Sequence, residues 1–286
     1  MIRIGTRGSA LALAQARLVA EALEEETELV TITSAGDRGE ARQDKSRWVS
    51  ELERALLEDR IDIAVHSAKD VPAELAEGLE LAAIPPREDP RDAICGARGL
   101  GELPAGARIG TSSLRRAAQL RAIRDDLEVV DVRGNVDTRL RKLAEGQFDA
   151  LVLAAAGLRR LGRKPDGLLD ELVPAAGQGA LAIEARGNGS PADVHVRTCT
   201  QKLADPDATA CVLAERELTR RLEASCNTPI GAHACTLEDG GVQLRAWVGR
   251  PDGSAWISDR LTGQPQGLGA ATAERMLAVG AAELLA

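Results

Sequence analysis

Cationic and hydroxyl side chains recur in the short polar segments that follow the β-like runs of this sequence. The cationic ones are Arg7, Lys69, Arg115, Arg116, Arg133, Arg139 and Arg160. The hydroxyl ones are Thr6, Ser9, Thr111, Ser112 and Ser113. Guanidinium groups bind carboxylates and phosphates through paired hydrogen bonds, and helix N-termini add a favourable dipole for anions. These segments therefore predict a site for a ligand with several negative charges, although a single arginine taken alone is more often a solvated surface residue.

One carboxylate, Asp70, lies among these cations, directly after Lys69. Neighbouring positive charge keeps such a carboxylate ionised, so that it can stabilise a cationic intermediate or move a proton. The residues alone favour the two plainer interpretations of Asp70, a helix cap or an ion-pair partner.

Alternating strands and helices must position these side chains. Runs with β character precede the polar segments, helix-periodic stretches follow them, and the runs lie at 2–4, 61–65, 108–109, 127–132 and 150–153. This alternation predicts α/β layers with largely parallel sheets, in which ligands bind at the carboxyl ends of the strands.

The last third of the chain has a different pattern. A helical stretch is followed by three strand-like runs separated by Asp-Gly-Gly and Pro-Asp-Gly turn signals, and then by a final helix. Consecutive hairpins predict a three-stranded antiparallel sheet in a small α+β domain. Segments 84–90 and 174–179 have the composition of crossings between two α/β lobes. We therefore predict domain 1 at 1–86 completed by 182–201, domain 2 at 90–177, and domain 3 at 205–286.

Composition excludes several classes of protein. The 286 residues have a formal net charge of −8 and 1% aromatic residues, with no tyrosine, which disfavours a nucleic-acid binder. The five cysteines are odd in number and form no C-x-x-C pair, so we expect neither a disulfide framework nor a bound metal. We expect no signal peptide and no membrane span, and hence a cytoplasmic protein.

Five motifs in order resemble the porphobilinogen deaminase (hydroxymethylbilane synthase) family over nearly the whole chain. They are His66-Ser67-Ala68-Lys69-Asp70-Val71-Pro72, Arg87-Glu88-Asp89-Pro90-Arg91-Asp92-Ala93, Gly110-Thr111-Ser112-Ser113-Leu114-Arg115-Arg116, Arg133-Gly134-Asn135-Val136 and Cys226-Asn227-Thr228-Pro229-Ile230-Gly231. The resemblance implies two lobes built like type II periplasmic binding proteins, followed by a third domain. It also implies an enzyme, working as a monomer, that deaminates porphobilinogen and joins four units head to tail into hydroxymethylbilane.

The resemblance further implies a covalent dipyrromethane cofactor on Cys226, and it places Asp70 near the pyrrole nitrogens as the catalytic carboxylate. Each pyrrole ring carries acetate and propionate groups, which an arginine-lined site suits. The cofactor-binding residues that it implies are Lys69, Thr111, Ser112, Ser113, Arg115, Arg116, Arg133 and Asn135. The substrate-binding residues are Arg7, Ser9, Arg139 and Arg160.

The chain departs from the family pattern in two places. The family's mobile loop is longer and rich in glycine, whereas here residues 38–47 form a shorter polar route, with Lys45 in place of the loop lysine and Trp48 in place of its aromatic residue. How intermediates are shielded from water is therefore open. Glu223-Ala224-Ser225 also replaces the commoner small residues before the cysteine, although attachment needs only the thiol.

Two other functions remain as alternatives. A non-enzymatic bilobal anion binder of the periplasmic type would explain the lobes and the arginines, but not a cysteine in a third domain. A phosphate-handling transferase would use the same anion loops, but the sequence has no Walker-type lysine loop and no evident metal-carboxylate cluster.

Overall fold

The computed structural model describes residues 1–32, 46–72, 74–187, 189–224 and 228–285, with the side chains of 46–48 outside that description. The predicted Lys45, the Trp48 side chain and Cys226 therefore lie outside the described residues. The described chain divides into two compact units, 1–88 with 180–209 and 89–179 with 210–286. None of the described helices combines the length and the apolar character that crossing a lipid bilayer requires.

The first unit is built on a five-stranded sheet in the order β2-β1-β3-β10-β4. Its strands are β1 (Ile2–Thr6), β2 (Thr27–Thr31), β3 (Ile63–Ser67), β4 (Leu79–Ala83) and β10 (Leu181–Arg186). Its helices are α1 (Ala10–Ala22), α2 (Ser46–Leu57) and α6 (Pro191–Gln201). Strands β1, β2 and β3 are parallel, and β10 runs antiparallel between β3 and β4.

Apolar side chains cover both faces of this sheet, as a parallel sheet requires. On one face Ile4 and Ile63 pack in the same cluster as Val19 of α1 and Val196 of α6. On the other face Ala64 packs with residues of α2, among them the fully buried Leu56. Neighbouring positions 63 and 64 thus face opposite helices, which follows from the two-residue period of a strand.

The second unit contains another five-stranded sheet, in the order β7-β6-β8-β5-β9. Its strands are β5 (Asp92–Cys95), β6 (Arg108–Gly110), β7 (Glu128–Val130), β8 (Ala150–Ala154) and β9 (Gly167–Leu169). Its helices are α3 (Leu114–Ile123), α4 (Val136–Ala144) and α5 (Ala155–Arg160). Strands β6, β7 and β8 are parallel, whereas β5 is antiparallel to β8 and β9.

The C-terminal part of the second unit is a three-stranded antiparallel sheet with helices. Its strands are β11 (Ile230–Thr236), β12 (Val242–Gly249) and β13 (Trp256–Gly263). Its helices are α7 (Pro206–Arg221), α8 (Leu268–Ala278) and α9 (Ala281–Leu285). Leu218 of α7, Leu244 of β12 and Met276 of α8 form the centre of one buried cluster on this sheet. The predicted fold class, two α/β lobes followed by a small α+β domain, is confirmed.

Candidate active site

In the first unit, the predicted site residues follow two neighbouring parallel strands. Arg7 and Ser9 come directly after β1, and Lys69 and Asp70 form a 3-10 turn with Ala68 directly after β3. Because β1 and β3 are adjacent and parallel, both segments lie at the same edge of the sheet. All four side chains are half-buried. The structure thus brings Arg7, Ser9, Lys69 and Asp70 to one sheet edge, as the sequence analysis predicts for strand ends.

Hydrogen bonds fix the two segments beneath these side chains. The Ser9 Oγ accepts a hydrogen bond from the Ala12 N–H at 3.3 Å and caps α1. The Gln15 amide of α1 donates to the Ser67 Oγ at 2.8 Å, which ties α1 to the end of β3. The Ala68 N–H donates to the Ala180 carbonyl at 3.0 Å. These contacts hold the backbone that carries Lys69 and Asp70.

A buried histidine–glutamate pair joins β3, four residues before Asp70, to β10, and it was not found by sequence reasoning. The His66 Nε2 and the Glu184 Oε2 are 3.0 Å apart, and both side chains are almost fully buried. Among the described residues the Glu184 Oε1 has no hydrogen-bond partner. Burial and the nearby Glu184 raise the pKa of Glu53 above its usual value. His66 belongs to the first motif, but nothing in the sequence pairs it with a residue 118 positions away.

In the second unit, the predicted residues follow the three parallel strands β6, β7 and β8. Thr111, Ser112 and Ser113 follow β6, Arg133 and Asn135 follow β7, and Arg160 ends the helix after β8. The parallel pairing places the ends of these strands at one edge of the sheet. Arg139 is the fourth residue of α4, at the end of its first turn.

Side chains cap the two longer helices at this edge. The Ser113 Oγ accepts a hydrogen bond from the Arg116 N–H at 3.4 Å, and the Asn135 Oδ1 accepts one from the Thr138 N–H at 2.9 Å. A capping hydroxyl still has a proton to donate to an anion. Gly134 has φ of 114°, and a Cβ there would lie 2.7 Å from the Thr138 Cγ2. The bend between Arg133 and Asn135 therefore requires glycine.

Arg115 and Arg116 are both buried, and both donate hydrogen bonds to the same carboxylate, that of Asp92. The Arg115 Nη1 and Nη2 donate to the two Asp92 oxygens at 2.7 and 3.1 Å, and the Arg116 Nε donates to Oδ1 at 2.8 Å. The Gln178 Nε2 also donates to the Asp92 Oδ1, at 2.9 Å. Asp92 is fully buried on β5. Sequence reasoning missed Asp92 as an organiser of the site, because its motif carries no sign of which distant arginines it binds.

Positive charge exceeds negative charge among the described residues of this cluster. Burial alone would raise the pKa of Asp92, but the charges of Arg115 and Arg116 and hydrogen bonds from Arg115 and Gln178 hold that pKa well below its usual value. Burial and the charge of Arg116 lower the pKa of Arg139. Asp92 therefore faces two guanidinium groups, and the third, that of Arg139, lies close enough to Arg116 and to Asp131 for both charges to act on its pKa. This surplus of positive charge favours an anionic ligand at the edge.

The remaining predicted arginines keep more solvent contact. Arg133 pairs with Asp131 at 2.9 Å, and its side chain is 73% exposed. Arg160 is half-buried, and its Nη2 donates to the Gly179 carbonyl at 2.6 Å. Arg139 donates from its Nε to the Gly134 carbonyl at 2.8 Å, across the same bend that carries Arg133.

Removing the Asp92 charge should destabilise the fold more than it alters binding. Asp92→Asn takes from two buried guanidinium groups the charged carboxylate that they share, and we expect a loss of about 3–5 kcal/mol in the free energy of unfolding at pH 7. Urea unfolding, monitored by circular dichroism, measures this loss in the free energy of unfolding. The exposed Glu145→Gln, which removes a carboxylate paired with Arg141 at 2.6 Å, is the matched control and should change stability by less than about 0.5 kcal/mol.

Wild type and Asp92→Asn also test how the contribution of Asp92 to stability depends on pH. Because the pKa of Asp92 is lower in the folded state, its contribution is present above the unfolded-state pKa of about 3.9 and is lost as the pH falls towards the folded-state value. The difference between wild type and Asp92→Asn should therefore shrink as the pH drops below about 4. A difference that stays constant down to acid unfolding would contradict the assignment of this ion pair.

Two family models match the chain. The porphobilinogen deaminase dipyromethane cofactor binding domain matches residues 2–194, and the porphobilinogen deaminase C-terminal domain matches residues 209–278. The chain is 53% identical over 271 residues to a porphobilinogen deaminase of Sorangium cellulosum, covering 88% of each sequence. It is 46% identical over 300 residues to a porphobilinogen deaminase of Thermus thermophilus, covering 100% of this chain and 98% of the relative.

Solved structures with more distant sequences are also similar. A periplasmic substrate-binding protein of an ABC transporter from Coxiella burnetii is 12% identical, with a TM-score of 0.42 over 72% of this chain and 93% of that one. The methionine binding protein MetQ is 14% identical, with a TM-score of 0.43 over 71% and 89%.

The family matches decide between the functions that the sequence left open. Both matched regions and both relatives bear the same enzyme name, so neither an anion-binding protein nor a phosphate-handling transferase is needed to explain the arginine-rich edges. The predicted enzyme class, a transferase of tetrapyrrole biosynthesis with a dipyrromethane cofactor, is confirmed. The chain belongs to the porphobilinogen deaminase family.

Proposed function

We propose that this chain deaminates porphobilinogen and joins four units into hydroxymethylbilane, with a dipyrromethane cofactor bound through Cys226. The observation that carries the proposal is the cationic cluster of Arg115, Arg116 and Arg139, which lies at the strand-end edge of a sheet within the matched cofactor-binding region. Dipyrromethane brings two carboxylates on each of its rings, and in this cluster Arg115 and Arg116 share the carboxylate of Asp92.

The residues present fit such a group. Among the described residues the buried Arg115 Nε has no hydrogen-bond partner, so the cluster has a donor in excess of its protein acceptors. The hydroxyls of Ser112 and Ser113 lie at the N-terminus of α3, where the helix dipole favours a negative charge. Ser112 is exposed and Thr111 is buried, so we assign Ser112 and Ser113 to direct contact and Thr111 to support of the turn, where its Oγ1 accepts from the Ser113 N–H at 3.2 Å.

When bound, dipyrromethane supplies the pyrrole to which the first substrate ring is joined. Arg133, Asn135 and Lys69 would orient its carboxylates together with the α3 hydroxyls. Arg7, Ser9, Arg139 and Arg160 would bind the carboxylates of the incoming substrate and of the growing chain. Asp70 would face the pyrrole nitrogens, stabilise the positive charge that develops as ammonia leaves porphobilinogen, and accept a proton at its carboxylate.

Three domains would divide these tasks: 1–86 completed by 182–201, 90–177, and 205–286. The three separate sheets support this division.

We further propose that the protein is monomeric and cytoplasmic and does not bind nucleic acid. The net charge of −8 supports the last point, because polyanion binding needs a positive surface. Light scattering at micromolar concentration tests the monomer, and a second species of twice the mass would contradict it.

Intact-mass spectrometry combined with an activity assay tests the proposed function. The purified chain should carry extra mass equal to two pyrrole units, consume porphobilinogen, and release one ammonia for each ring that it joins. Brief exposure to limiting substrate should add masses of one, two and three further rings. A chain that consumes porphobilinogen without any covalent mass increase would overturn the attachment, and one that does not consume it would overturn the function.

The arginines should divide into two functional groups. Arg133 is exposed and pairs at the surface with Asp131, so Arg133→Leu should leave the fold intact and lower the fraction of chains that carry dipyrromethane. Arg160→Leu should leave that fraction unchanged and cause intermediates of the growing chain to accumulate. Loss of one charge-assisted hydrogen bond is worth about 1.5–3 kcal/mol, or about 10- to 100-fold in the affected step.

Intact-mass distributions report both effects in a single measurement. Arg163→Gln, which removes an exposed guanidinium 3.5 Å from Asp137, is the matched control and should behave as wild type. Equal losses of dipyrromethane in Arg133→Leu and Arg160→Leu would show that the division is wrong.

A further inference from the structure

Three potential metal ligands of different kinds meet on the surface of the first unit, away from the strand-end edge that carries Asp70. Glu25 follows α1 in the segment before β2, and His195 and Cys199 are four residues apart on α6. The four-residue spacing places both α6 side chains on one face of the helix. The sequence alone did not show this group, because Glu25 is 170 or more positions away from the other two.

The distances within this group match those of a coordinated metal. The Cys199 Sγ lies 3.6 Å from the Glu25 Oε1 and 3.8 Å from the His195 Nε2, and the last two atoms are 3.7 Å apart. In tetrahedral zinc sites, with bonds of about 2.3 Å to sulfur and about 2.0–2.2 Å to nitrogen or oxygen, neighbouring donor atoms lie about 3.3–3.6 Å apart. The observed separations exceed these by a few tenths of an ångström at most, so small side-chain movements would bring the three donors to a metal lying above the plane of their triangle, with the fourth ligand on its far side.

Exposure and ligand type narrow the choice of metal. Cys199 is buried, whereas the side chains of His195 and Glu25 are 59% and 35% exposed, so a cation and a fourth, water ligand can enter from solvent. Thiolate and imidazole prefer Zn²⁺ and similar borderline or soft cations, while Mg²⁺ and Ca²⁺ prefer oxygen ligands. Three protein ligands of these types suit a zinc site with one open position.

We propose that Glu25, His195 and Cys199 form a peripheral Zn²⁺ site that joins the segment between α1 and β2 to α6. Binding replaces the thiol proton of Cys199 with the metal and releases that proton to the buffer, so no oxidant or other reactant is required. The site supports the fold of the first unit and takes no part in the reaction. Lys202 of the segment after α6 already contacts Glu24 at 3.4 Å, so the metal would strengthen an existing connection.

Metal titration of the full, dipyrromethane-loaded chain tests this proposal. Zn²⁺ should bind with a stoichiometry of one in calorimetry, and Co²⁺ should give the near-ultraviolet charge-transfer band of a cobalt–thiolate bond. His195→Ala should raise the Zn²⁺ Kd by about 100-fold or more, because it removes one of three protein ligands. His195 is exposed, so this variant should fold as wild type does. Cys199→Ser should abolish the cobalt–thiolate band.

Controls separate this site from other thiols. Cys235 is exposed on β11 of the second unit, and Cys235→Ser should keep both the stoichiometry and the cobalt band. At a Zn²⁺ concentration 100 times the Kd, the Tm of wild type should rise by about 5 °C and that of His195→Ala should not. MgCl₂ should give neither binding nor a shift. Absence of saturable Zn²⁺ binding in wild type, or its loss in Cys235→Ser instead of His195→Ala, would overturn the proposal.

Discussion

Cys226→Ser should yield a folded protein that carries no dipyrromethane and has no measurable turnover. A serine hydroxyl keeps the size of the side chain but is far less nucleophilic than a thiolate, so the covalent bond to the cofactor does not form. In the proposed reaction every later ring is joined to the cofactor anchored at Cys226, so its loss should abolish the reaction from the first step. Intact-mass spectrometry should show the mass of the bare chain, and porphobilinogen should not be consumed above background.

The four other cysteines provide the comparison. Cys95, Cys199 and Cys211 are buried, whereas Cys235 is exposed on β11. Burial raises the pKa of the Cys95 thiol to about 11, which keeps it protonated and unreactive. Cys235→Ser is therefore the matched control: it removes an accessible thiol and should retain the cofactor and full activity. Dipyrromethane retained in Cys226→Ser but lost in Cys235→Ser would move the attachment site to β11.

The architecture could be predicted because its signals are local. Each parallel strand in the two lobes is a short apolar run followed by a polar segment and a helix-periodic stretch, and Ser9, Ser113 and Asn135 are N-caps where sequence reasoning had placed helix starts. The three C-terminal strands were readable from turn signals between alternating runs. Strand order could not be predicted, since β10 inserts antiparallel between β3 and β4 although it lies far from both in the sequence, at Leu181–Arg186.

The interior of the site could not be predicted for the same reason. The family resemblance implies that Arg115 and Arg116 bind the cofactor, but it does not show that both are buried against Asp92, 23 and 24 positions earlier in the chain. Their partner depends on which residues of β5 lie beside the start of α3, and that follows from strand pairing and not from spacing. The same limit hid the His66–Glu184 pair and the ligands Glu25, His195 and Cys199. The sequence shows which loops can bind anions, but it does not show which distant residues pair with the charged side chains of those loops.

Asp70→Asn should lower turnover by about 10²-fold or more while leaving dipyrromethane attached, the low end of the range for a lost acid–base group. Asparagine keeps the size and the hydrogen-bonding capacity of the side chain but deletes the charge that, in the proposed reaction, stabilises the cation formed as ammonia leaves. The 3-10 turn that carries Asp70 is held by backbone bonds, Ala68 N–H to the Ala180 carbonyl and Val71 N–H to the Ala68 carbonyl, which this change does not touch. Single-turnover measurements on the loaded protein separate the joining step from substrate binding.

The effects of side-chain charge and of side-chain length on turnover can be distinguished at position 70. Asp70→Glu keeps the charge and moves it outward by one methylene, so it should retain measurable turnover, well above that of Asp70→Asn. Glu74→Gln removes an exposed carboxylate four positions further along the same segment, and it should leave turnover unchanged. If Asp70 only supported the turn, Asp70→Asn would lower stability and turnover together and Asp70→Glu would behave no better. If Asp70 is the catalytic carboxylate, turnover is high in the variants that keep a charge at position 70 and low in Asp70→Asn. The urea concentration at the midpoint of unfolding is then the same for all three variants.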